Sequence, residues 1–127
     1  MKIAALVARV LLGLVFVVFG ANGLHPFLPT PPPPGGVAGQ YIMALMQSHL
    51  FVVPAAVQFI GGLMLLVNRY VPLGLTILGP VIVNILCFHI FMERTGLPLA
   101  FVVAILWFVL FYYYRRSFAG IFEARPV

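Results

Sequence analysis

The chain has 127 residues, 64% of them hydrophobic and only 7% charged. Soluble domains carry about 25% charged residues, so an ordinary water-facing surface is excluded and lipid is the expected solvent. The net charge of +5 comes from basic residues at the ends of apolar runs, not from a stripe that would grip a phosphate backbone, and no nucleic-acid partner is expected. The single cysteine, Cys87, rules out an intramolecular disulfide, and no metal-ligand spacing is present.

The first element resembles a secretory signal in layout: Lys2, an apolar run from Val10 to Phe19, then small residues. It is expected to be retained as a first membrane span over residues 4–23. Residues 24–40 follow as an outward loop containing Pro31-Pro32-Pro33-Pro34-Gly35-Gly36. Such a run favours extended polyproline geometry and forms no helix. From Gln40 to His49, Ile42, Leu45, Met46 and His49 recur at helical spacing, which predicts a short helix lying in the interface. Further spans are predicted over residues 50–67, 71–92 and 97–114, each near the ~20 apolar residues a crossing requires. Pro54, Pro72 and Pro98 fall near helix starts, where a missing N–H is harmless. The links Asn68-Arg69-Tyr70 and Glu93-Arg94-Thr95-Gly96 are too short for anything but antiparallel neighbours.

The expected fold is therefore all-α: an integral membrane, four-transmembrane-helix up-down bundle forming a single domain. Lys2, Arg9, Arg69, Arg115, Arg116 and Arg125 fall on one side of such a bundle and Arg94 alone on the other. The positive-inside rule then places both termini in the cytoplasm and the chain in the inner membrane. Tyr112-Tyr113-Tyr114 before Arg115-Arg116 reads as an anchor at the inner interface.

Polar groups at membrane depth are costly, so each one is informative. Arg9 shares a helical face with Gly13, Phe16 and Gly20, and is expected to point into the bundle and snorkel inward. It either joins a ligand site or, more plainly, meets lipid phosphate or caps carbonyls. Gln58 and Asn84 sit near the middle of adjacent antiparallel spans. They either line a ligand pocket or bond one another as interhelical glue, which contributes ~0.6–2 kcal/mol. His89 and Glu93, four apart, form the one local histidine–carboxylate pair and the candidate proton-handling site. The plainer alternative has His89 on a backbone carbonyl and Glu93 beside Arg94. His89 lies about 140° around the helix from Asn84 and is not expected to share its site. His25 and His49 lie outward and would join a site only through folding of the proline loop. The ligand-binding candidates are Arg9, Gln58, Asn84 and His89.

The ordered set of features resembles the DoxX-like family of small four-span membrane proteins. The resemblance rests on Arg9-Val10-Leu11-Leu12-Gly13-Leu14 with Phe19-Gly20, and on Tyr41, Ala44-Leu45 and Ser48. It continues through Gln58-x-x-Gly61-Gly62-Leu63, Arg69-Tyr70-Val71-Pro72-Leu73-Gly74, Asn84-Ile85-Leu86-Cys87-Phe88-His89 and Gly96-Leu97-Pro98. It covers nearly the whole chain outside the proline loop, which is not a family trait. Gln58 stands where members often carry a glutamate, so a titratable group at mid-membrane is absent. The resemblance implies association with quinone-linked respiratory enzymes, sulfur oxidation or membrane oxidoreductase complexes. The leading expectation is a non-catalytic accessory or structural subunit of a larger membrane redox or energy-converting complex, or a homo-oligomer, surrounded by membrane lipids. The alternative is a quinone- or isoprenoid-binding oxidoreductase component. No intrinsic cofactor is expected, with quinone or lipid the ligand classes to consider. A transporter or channel is disfavoured, because there is no matching pair of helix breaks and no charged lumen.

Overall fold

The computed structural model describes residues 1–127, which form helices and connecting turns with no strand. The five α-helices are α1 (Lys2–Leu24), α2 (Gly36–Ser48), α3 (Val52–Val67), α4 (Val71–Phe91) and α5 (Leu97–Tyr113). Short 3₁₀ segments cover Arg94–Gly96 and Arg115–Phe122. α1, α4 and the stretch Arg94–Tyr113 are long and apolar enough to cross a membrane; α2 with α3 supplies a fourth crossing if that bent pair counts as one span.

α3 has 16 residues, about 24 Å of helix against a hydrocarbon core of ~30 Å. α2 precedes it at an angle of 88° and so runs across the end of α3 rather than prolonging it. The bend is built locally. His49 takes a left-handed conformation (φ 62°), and the Ser48 hydroxyl donates to the Leu45 carbonyl and accepts from the Leu50 amide. Those bonds replace the regular helix ladder. α2 begins at Gly36 rather than Gln40, so the loop is shorter than residues 24–40. Gly36 accepts a positive φ of 65°, which lets the chain enter a helix directly after the prolines. The other end of that loop is tied by Asn22, whose Oδ1 accepts from the amides of Phe27 and Leu28, both at 2.9 Å.

The helices form a ring in which α1 touches α3 and α5, and α4 touches α3 and α5. Leu12 and Phe16 of α1, Leu65 of α3, Leu75 and Leu78 of α4 and Leu110 of α5 fill the centre. The closest seam lies between α1 and α3. A Cβ on Gly62 would sit 2.8 Å from the Val17 nitrogen and 2.9 Å from the Gly13 carbonyl oxygen. Between helices in lipid, such backbone approach replaces the hydrophobic drive that water would provide. Trp107 ties α5 to α4 by donating its indole N–H to the Leu75 carbonyl at 2.9 Å, beside the turn that Pro80 disturbs. The C-terminal 3₁₀ segment folds back on α5, burying Phe118 against Phe111 with ring centroids 4.9 Å apart.

Candidate functional site

The ring holds a half-open cavity of about 220 Å³ at the end of the bundle that carries the α4–α5 link. α1 contributes Val15, Phe16 and Phe19; α3 contributes Gln58; α4 contributes Ile85 and His89; α5 contributes Leu99, Ala100 and Val103. Gln58 and His89 are its only polar side chains. Two of the four ligand candidates thus come together, from helices that the sequence could place side by side but could not rotate.

His89 Nδ1 lies 2.9 Å from the backbone carbonyl oxygen of Glu93. A carbonyl only accepts, so Nδ1 carries the hydrogen, and in that tautomer Nε2 is the acceptor. The expected His89–Glu93 side-chain pair does not form. α4 ends at Phe91, and Glu93 is in extended backbone (φ −146°), so the four-residue spacing no longer runs along one helix. The Glu93 carboxylate turns instead to Thr95, accepting from its hydroxyl at 3.2 Å and its amide at 3.4 Å. Gly96 gives the imidazole its room: a Cβ there would stand 3.0 Å from both ring nitrogens and overlap Cε1. Its φ of −92° is open to any residue, so space and not backbone freedom explains the glycine. Sequence reasoning missed this role; Gly96 read only as part of a turn before Pro98.

Asn84 does not meet Gln58. It is exposed, and its Nδ2 donates to the Tyr41 hydroxyl of α2 at 3.3 Å. Tyr41 also packs on Phe88, with ring centroids 5.6 Å apart, so Asn84 and Phe88 dock α2 on α4. The matching depth of Gln58 and Asn84 is no help when Asn84 faces away from α3.

Arg9 stands at the opposite end. Its Nη1 donates to the Leu65 carbonyl and, at 3.3 Å, to the Leu66 carbonyl at the end of α3. That helix closes with Asn68 left-handed (φ 57°), Asn68 N–H bonded to Leu65 and Arg69 N–H bonded to Met64. This closure leaves late carbonyls of α3 short of donors. Arg9 supplies them and places its charge at the negative end of the helix dipole. His25 and His49 are exposed and line no part of the cavity, and no group of three or more His, Cys, Asp or Glu residues could hold a metal ion. Searches against protein-family models, curated proteins and solved structures find no match to this chain.

Proposed function

We propose that this chain is a four-span, DoxX-like inner-membrane protein with both termini cytoplasmic, whose bundle holds the uncharged polar head of a lipid-soluble amphiphile. The observation that carries this reading is the cavity walled by α1, α3, α4 and α5, in which Gln58 and His89 alone are polar. A ligand site is characteristically an apolar concavity with a few convergent hydrogen-bonding groups. The two groups here are complementary: the Gln58 amide offers donors and an acceptor, and His89 Nε2 offers an acceptor. A head bearing a carbonyl or a hydroxyl satisfies both, as in a quinone, a quinol or an isoprenoid alcohol. At about 220 Å³ the cavity is below the ~300–1,000 Å³ of sites that engulf a whole ligand. It accommodates a head while an isoprenoid tail runs out among lipid chains. No Asp, Glu, Lys or Arg lines the cavity, which favours a neutral head.

The test is mild-detergent purification of the full chain, followed by extraction and mass spectrometry of retained small molecules. The expected result is near-stoichiometric quinone or isoprenoid, reduced at least tenfold in Gln58→Leu and in His89→Phe. A wild-type protein that retains neither, and binds neither when they are added back, would overturn the reading.

A second reading, the accessory subunit of a larger redox complex, draws on the outward apolar row Phe101, Val102, Ile105, Phe108 and Tyr112 of α5. This row suits a neighbouring apolar helix as well as lipid. Stoichiometric recovery with a larger complex, with the cavity substitutions neutral for any retained ligand, would favour it.

A further inference from the structure

The inner end of the bundle carries a second, smaller cavity of about 140 Å³, whose polar lining is Lys2, Arg9, Asn68, Tyr113 and Tyr114. Three separate parts of the fold meet there: the first turns of α1, the α3–α4 turn and the end of α5. The lining groups are rich in hydrogen-bond donors. Lys2 contributes an ammonium, Asn68 an amide and the tyrosines their hydroxyls. Arg9 is already oriented, because Nη1 is spent on Leu65 and Leu66. Its Nε and Nη2 hydrogens remain for another acceptor. No carboxylate lines the cavity. The chain has two acidic residues in all; Glu93 is at the far end with Thr95, and Glu123 lies in the C-terminal segment beyond Phe122.

We infer that this cavity is a site for the phosphate of an anionic membrane lipid, drawn from the leaflet that faces the chain termini. Two cations facing a low-dielectric boundary without an acidic partner are costly, and a phosphate offsets both. A guanidinium held by two carbonyls offers its remaining N–H groups in a fixed fork, the geometry that phosphate oxygens accept. The tyrosine hydroxyls stand at the level where headgroups meet hydrocarbon. Basic pockets between membrane helices bind anionic headgroups in this way. The inference rests on the bundle being embedded in a membrane and not on the chemistry of the outer cavity. Resistance of the chain to alkaline carbonate extraction tests that premise by itself.

The experiment is native mass spectrometry of the full chain in detergent with phosphatidylglycerol, phosphatidylcholine or inorganic phosphate added, together with thermal unfolding followed by Trp107 fluorescence. Expected is a one-to-one phosphatidylglycerol adduct, formed at least fivefold more readily than the phosphatidylcholine adduct, with a raised unfolding midpoint. Lys2→Gln combined with Tyr114→Phe leaves the Arg9 cap intact and is expected to cut that adduct about fivefold. Equal retention of the two lipids overturns the inference, as does an adduct indifferent to the double substitution. A midpoint shift produced equally by inorganic phosphate, and lost in the double variant, overturns it in favour of a free-anion site.

Discussion

The two ends of the bundle treat polar groups in opposite ways. At the end near the α4–α5 link, a histidine and a glutamine face an apolar cavity, and the nearest carboxylate is turned away to Thr95. At the end near the chain termini, two cations gather beside helix-terminal carbonyls and tyrosines. The first environment offers uncharged hydrogen-bonding groups and the second offers cations, so the proposed neutral head and the inferred phosphate would each meet a matching set of side chains. Because the α1–α3 seam runs between them, it supports both ends at once.

The largest effect is expected from Gly62→Leu, which removes the comparison altogether. Its side chain would drive into the Val17 amide and Gly13 carbonyl, where backbone cannot yield, and the cost should be about 3 kcal/mol. Unfolding in a detergent titration should move to markedly lower denaturant, with both cavities lost together. Arg9→Gln should separate the ends. It removes two charge-assisted bonds to α3, a loss of about 2 kcal/mol, while amphiphile retention at the outer cavity stays within twofold of wild type. Impaired retention in a folded Arg9→Gln protein would show that the ends are coupled. Gly96→Ala should act in the other direction. The added methyl displaces the His89 ring, so quinone or isoprenoid retention should fall about tenfold, with phosphatidylglycerol adduct formation unchanged. The smallest effect is expected from Asn84→Ala. It deletes one exposed 3.3 Å bond to Tyr41 and should change stability by no more than ~0.5 kcal/mol, leaving ligand retention intact. A tenfold loss of retention on Asn84→Ala would return that residue to the site.

Much of the architecture is legible along the chain because the signals are local. Pro72 and Pro98 fall at helix starts, and the short links between α3, α4 and α5 leave only antiparallel packing. Arg9 shares a face with Gly13 and Gly20, which points it into the bundle, where the structure supplies α3 carbonyls as its partners. The bend between α2 and α3 was less legible, since it depends on His49 adopting a left-handed conformation that glycine or asparagine would have signalled more clearly. The spacing of His89 and Glu93 does not reveal that the chain becomes extended at Glu93, which takes the carboxylate off the His89 face and breaks the histidine–carboxylate pair.

The sequence by itself determined the all-helical, apolar character, the number of helical segments and the position of each polar group along its helix, because composition and spacing act through nearest neighbours along the chain. Only the tertiary structure decided how each helix is rotated about its axis and which helices share a side. Asn84 turns outward to Tyr41, and His89, about 140° further around α4, is carried to the interior beside the cavity wall that holds Gln58. Position along a helix is written in residue number, but rotation is set by which faces pack, and here that is governed by the glycine contacts between α1 and α3 and by the Trp107 tie between α5 and α4.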